Sequence, residues 1–122
     1  TILIGHSIGC QTIMRYLAKP NRKVNAVFFV AGWFHIHNEE ESEESKAIAS
    51  PWLETPIDFA QVKKNCVKFT ALFSNDDPFV PVSDAELFEK KLGAKIIIEK
   101  NKSHYDIQRT IPILLAEIKK AI

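Results

Sequence analysis

The sequence predicts an α/β fold: a mostly parallel, four-stranded sheet with helices on both faces, giving three layers. Three observations predict it. Four short apolar runs, residues 1–5, 24–32, 66–74 and 94–100, lack the polar alternation of strands that face water on one side. A segment with helical spacing or N-cap chemistry follows each strand. Strand and helix therefore alternate four times, the pattern of parallel strands joined by right-handed crossovers.

The elements can be justified in order. Residues 1–5 (TILIG) are apolar and partly β-branched, and read as a buried strand. A helix follows from about residue 8 to 18, with Ile13, Met14 and Leu17 at helical spacing, and it stops before Pro20. Residues 24–32 (VNAVFFVAG) form the second strand. The stretch from Trp33 to Pro56 is irregular and holds an acidic tract at 39–44 (EEESEE) that cannot bury itself. Asp58 followed by Gln61 marks a short helix ending near Asn65. Residues 66–74 (CVKFTALFS) give the third strand, followed by the loop NDDPFVPV. The run SDAE at 83–86 reads as a capping box, opening a helix that ends at Leu92 before Gly93. The fourth strand (AKIIIEK) leads into the loop NKSHYD. A last amphipathic helix covers 110–122, with Ile111, Leu114, Leu115, Ile118 and Ile122 on one side and Pro112 in its first turn.

Composition narrows the function classes. The 122 residues are 46% hydrophobic and 25% charged, with a net charge of +1. Such a balance supplies no electrostatic footprint for nucleic acid or for a membrane surface. No apolar run approaches the roughly 20 residues of a membrane span, and no basic n-region precedes the first apolar stretch. Two cysteines, Cys10 and Cys66, are too few for a disulfide framework and are expected reduced, in a cytoplasmic protein. The chain opens on Thr1 inside a strand, so the expectation is a single domain over 1–122 that is a fragment lacking N-terminal strands.

In a parallel α/β sheet, function gathers at the loops leaving the carboxyl ends of the strands. Gly5-His6-Ser7-Ile8-Gly9 stands there with G-x-S-x-G spacing, between an apolar strand and a helix. That context makes it a nucleophile elbow, in which a serine is thrust above the sheet between small neighbours. The Ile8 N–H, at the start of the helix, then faces the place where an oxyanion would form. The alternative is a plain strand-to-helix turn with a capping serine.

A serine nucleophile needs a base and an orienting acid, here expected in the chain order serine, acid, histidine. Asp77 follows the third strand and is held extended by Pro78, with Asp76 as its rival. His104 follows the fourth strand and is the candidate base. His6 adjoins Ser7 and is assigned a packing or loop contact. His35 and His37 lack a fixed third ligand, so no metal site is expected. Cys10 reads as a small buried hydrophobe. Trp33, Phe34, Trp52 and Phe79 are the candidate pocket residues, with ordinary core packing as the alternative.

These motifs resemble the small serine hydrolases of the retinoblastoma-binding-protein-9 type and their bacterial relatives. The likeness runs from LIGHSIGC through MRYLA, NAVFFVAG, PW, VKKNC and FSNDDPFVP to SHYD, nearly the whole chain. It implies the C-terminal portion of an α/β-hydrolase fold, with the elbow after the first of four strands. It also implies Ser7 as nucleophile, Asp77 as acid and His104 as base, acting on a small-molecule or peptide ester, thioester or amide without metal or cofactor. This chain carries Ser103 where the family usually has glycine, and the N-terminal part expected to be missing is the one that supplies the second oxyanion-hole donor in the family. The alternative function is a catalytically weak hydrolase-fold protein that binds a partner through the acidic tract, or self-associates through an exposed first strand.

Overall fold

The computed structural model describes residues 1–35, 50–51 and 55–122. Trp52, His37 and the 39–44 tract lie outside the described residues. Four strands, β1 (Ile2–His6), β2 (Ala26–Val30), β3 (Phe69–Ser74) and β4 (Lys95–Glu99), form one sheet in the order β1-β2-β3-β4. Every neighbouring pair is parallel, with Ile4 opposite Phe28, Phe29 opposite Ala71 and Leu72 opposite Ile97. Helices α1 (Ile8–Leu17), α2 (Phe59–Asn65), α3 (Asp84–Leu92) and α4 (Pro112–Ala121) accompany them among the described residues.

Because each crossover steps one strand in the same direction, a common handedness sends α1, α2 and α3 to the same face. The core there joins Cys10, Met14 and Leu17 of α1, Val62 of α2 and Phe88 and Leu92 of α3 to Val27, Phe29, Phe69, Ala71 and Phe73. Phe88 sits at its centre, with ring centroids 5.2 Å from Phe29, 5.5 Å from Phe73 and 4.6 Å from Phe34. Such aromatic contacts add about 0.5–1.5 kcal/mol each beyond area burial. The opposite face is more thinly covered: Val30, Leu72 and Ile97 meet Tyr105, Ile111, Ile113 and Leu114. The expected three layers are present, with α1, α2 and α3 on one side and α4 on the other.

Two expectations are corrected. Ser83 does not build a capping box: it has helical dihedrals and its side chain caps nothing. The neighbouring Asp84 carboxylate, 2% exposed, instead accepts the Phe34 and His35 N–H groups at 2.7 and 2.8 Å and pairs with the His35 ring at 2.8 Å. On α4, Leu115 and Ile122 project into solvent, while Glu117 is buried. Its carboxylate accepts both Lys95 and Lys120 at 3.1 Å.

Since the strands are parallel, their carboxyl ends share one edge. Ser7 N–H donates to the Val30 carbonyl, Ala31 N–H to Leu72 and Asn75 N–H to Glu99, all at 2.9–3.0 Å. Four loops thus leave the sheet side by side.

Candidate active site

The elbow begins at Gly5. A Cβ there would lie 2.8 Å from Ile13 Cδ1 and 2.9 Å from the Gly9 backbone, so α1 can fold back on β1 only over glycine. At Gly9 itself a Cβ would meet nothing within 4 Å; the crowding expected on both sides of the serine exists on one. Ser7 takes φ 56° and ψ −117°, a strained backbone for a residue with a side chain, and its hydroxyl makes no helix-capping bond. The hydroxyl points elsewhere. Ser7 Oγ lies 2.9 Å from His104 Nε2, and His104 Nδ1 lies 2.8 Å from Asp77 Oδ2.

Proton positions follow from these partners. The Asp77 carboxylate is acceptor-only, so His104 Nδ1 carries the hydrogen, and Nε2 is left to accept the Ser7 hydroxyl. Asp77 is itself held, because its Oδ1 accepts the Phe79 and Val80 N–H groups at 2.8 and 3.1 Å. Its side chain is 3% exposed and that of His104 11%, so the pair is shielded from water.

The loop carrying His104 is fastened by a set of bonds that sequence reading missed. Asn75 Oδ1, Ser74 Oγ and Asp76 Oδ1 accept the N–H groups of Asn101, Lys102 and Ser103 at 3.2, 2.9 and 2.9 Å. Ser74 Oγ in turn donates to Asp76 Oδ1 at 2.6 Å. Residues 74–77 therefore dock onto 101–104. The Ser74 hydroxyl and then the Ser103 N–H hold the Asp76 carboxyl below the usual carboxylate range. Asn101, Ser103 and Tyr105 all have left-handed φ, 59°, 52° and 57°. Ser103 adopts this conformation without a glycine's freedom, at a cost of about 1–2 kcal/mol. The Tyr105 hydroxyl, which donates to Glu99 Oε1 at 2.9 Å and lies 3.2 Å from Phe73 O, closes the loop from below. The run of short polar side chains SNDD was the available signal.

The other candidates divide. His6 donates Nε2–H to the His104 carbonyl at 2.6 Å, with rings 5.1 Å apart: a loop contact, as expected. Phe79, 44% exposed, stands edge-on to His104 at 5.2 Å, and Trp33 Nε1 reaches Ser7 Oγ at 3.3 Å. Phe34 turns away from this group. It packs on Phe88 and Phe59 and lines a cavity of about 370 Å³, bounded also by Gln11, Arg15, Ile57 and Lys91, that none of Ser7, Asp77 or His104 borders. Ile8 opens α1, whose first N–H groups have no intrahelical acceptor. Burial pushes the Cys10 thiol up to about 12, as befits a core residue. Both cysteines are free. Among the described residues no three His, Cys, Asp or Glu side chains group as metal ligands. No described helix is long and apolar enough to cross a membrane.

Comparison with known proteins gives the chain its relatives. Residues 1–111 match a family model described as serine hydrolase. Serine hydrolase RBBP9 of Rattus norvegicus is 29% identical over 105 residues, covering 86% of this chain and 53% of the relative. The structure of the ydeN gene product from B. subtilis superposes with a TM-score of 0.82 at 18% identity, covering 99% of this chain and 64% of that one. A structure from a study of carboxylesterases of the thaumarchaeon Nitrososphaera gargenis gives 0.71 at 13% identity, covering 98% and 65%. The chain thus spans about half the length of the rat relative. With the four-stranded parallel sheet and an elbow serine at its carboxyl edge, the chain belongs to the serine hydrolase family and has the α/β-hydrolase fold.

Proposed function

We propose that Ser7, His104 and Asp77 are a catalytic triad that cleaves a small ester, thioester or amide through an acyl-enzyme. The observation that carries this is the unbroken relay from Asp77 Oδ2 through the His104 ring to Ser7 Oγ, two contacts of 2.8 and 2.9 Å. As Ser7 Oγ attacks the carbonyl carbon, His104 Nε2 takes its proton, and Asp77 steadies the imidazolium. The carbonyl electrons move onto oxygen, where the Ile8 N–H donates. Collapse breaks the bond to the leaving group, which takes the proton from His104. Water then gives a proton to His104 and attacks the acyl carbon; the proton returns to Ser7 Oγ as the acid departs. Trp33 reaches Ser7 Oγ and Phe79 stands against the His104 ring, which supports a small apolar or aromatic acyl group. Nothing in this chemistry calls for a metal or cofactor, and reduced cysteines agree with a cytoplasmic setting.

The test is labelling with a fluorophosphonate, which needs an activated serine but no knowledge of the substrate. The expected adduct maps to Ser7, is absent from Ser7→Ala, and forms about 1,000-fold or more slowly in His104→Ala. An adduct on another residue, or labelling that persists in Ser7→Ala, removes Ser7 from the role.

A further inference from the structure

We infer that Trp33 is a catalytic residue, its indole N–H stabilising negative charge on Ser7 Oγ itself rather than on the substrate's oxygen. The inference rests on the assignment of Ser7 as nucleophile. An indole nitrogen only donates, so the 3.3 Å contact from Trp33 Nε1 makes Ser7 Oγ an acceptor on that side. The hydroxyl hydrogen is thereby left for His104 Nε2 on the other. One orientation of the hydroxyl satisfies both neighbours, and it is the one from which the proton leaves.

The placement of Trp33 is built rather than incidental. After β2 the chain bends at Ala31, whose φ of 50° is left-handed. At Gly32 a Cβ would lie 2.7 Å from the Phe88 ring and 3.1 Å from Cys10 Sγ, so only glycine lets the chain pass this close to α1 and α3. The buried Gln11 amide, one helical turn beyond Ser7, then donates to the Trp33 carbonyl at 2.8 Å. The indole ends 3% exposed, with Ser7 Oγ accepting from its N–H.

The length of the contact matters. At 3.3 Å it is long for a hydrogen bond to a neutral hydroxyl, and bonds to charged oxygen are shorter and stronger. Oγ gains negative charge twice: as its proton passes to His104 during attack, and as the C–Oγ bond breaks during deacylation. A donor aimed at Oγ therefore binds both transition states better than the resting enzyme, which is the condition for raising kcat.

Two replacements in the 122-residue chain separate the N–H from the ring. Trp33→Phe removes both the donor and part of the bulk. Incorporating 3-benzothienylalanine at position 33 keeps the indole's shape and puts sulfur where the N–H was. Fluorophosphonate labelling at Ser7 should slow roughly ten-fold in both, with unchanged circular dichroism. Turnover of a small nitrophenyl ester should lose kcat by the same factor and leave KM in place. If the benzothienyl protein labels and turns over within about two-fold of the unmodified chain, Trp33 acts by shape alone and the inference is overturned. If Trp33→Phe does not fold, the isosteric replacement decides by itself. An unmodified chain that takes no label at Ser7 overturns the triad and this inference together; normal labelling in the benzothienyl protein overturns only the role of Trp33.

Discussion

Asp76 and Asp77 leave β3 side by side, and their partners decide what each does. Asp77 faces the His104 ring and orients it; Asp76 faces the backbone of the loop that carries the ring, accepting Ser103 N–H and the Ser74 hydroxyl. Removing the second carboxylate should misplace the proposed base without touching it. Asp76→Ala is expected to slow fluorophosphonate labelling about ten-fold, since small displacements of a catalytic group are costly. Asp76→Asn retains an acceptor for Ser103 and should recover most of the rate. Equal losses in the two variants would mean that the carboxylate's charge, not its hydrogen bonds, matters. The sign of the pH effect follows from the lowered folded value: the docked loop is favoured above the usual carboxylate range and is lost as pH falls through the lowered value. At this scale the sequence was legible where a residue carries a local signature. Ser7 sits between glycines after a strand, Asp77 precedes a proline, and His104 lies in the loop after the last strand. Trp33 was legible only as a pocket aromatic, because its bond to Ser7 depends on the Ala31 bend and the Gly32 approach to Phe88, which no spacing rule encodes.

At the scale of elements, the sequence signals found all four strands and the helices α1 to α4, with strand ends displaced by at most three residues, while helical residues 50–51 fall in the stretch read as irregular. Which way each helix faces was less legible. Periodicity placed Leu115 and Ile122 on the apolar side of α4, yet both are exposed, since the helix is anchored by Glu117 to Lys95 on β4. Glu117 is the buried residue of the helix, and it pairs with two lysines. Lys95 and then Lys120 hold the Glu117 carboxyl below its ordinary value of 4.5. A carboxyl with a lowered folded pKa contributes stability above its unfolded value and loses it as pH falls through the folded one. Glu117→Gln is therefore expected to lower Tm at pH 7 by about 4 °C, the shift that ~1 kcal/mol makes in a domain near this size. It should also flatten the decline of Tm on the acid side of pH 4.5. Thermal melts from pH 3 to 7 check both; an unchanged acid slope would place the linkage on another carboxyl. Asp84 gives the same lesson, since SDAE reads as a cap but the carboxylate leaves its helix to gather Phe34 and His35.

For the whole molecule, the sheet is unevenly finished. β2 and β3 are buried on both faces, whereas among the described residues β1 pairs with β2 alone and stands at the end of the order. α4 covers the second face over Val30, Leu72 and Ile97, and Ile4 of β1, on that same face opposite Phe28, is 53% exposed. An apolar edge strand with free N–H and C=O groups is a template for another strand. It is also the strand that ends in the elbow, so whatever pairs with it bears on the placement of Ser7. The 122-residue chain is expected to self-associate through β1 at micromolar to millimolar concentration. Ile4→Lys, a charge on the edge, should shift it to monomer, since an inward or edge lysine blocks strand addition. Sedimentation velocity across a dilution series measures this, with fluorophosphonate labelling of Ser7 in the same samples. A wild-type chain that stays monomeric throughout, or an Ile4→Lys chain that associates as strongly as wild type, would exclude the β1 edge as the contact. If association and labelling fall together in Ile4→Lys, the partner strand is needed to hold the elbow. If association falls while labelling stays, the four strands hold Ser7 by themselves.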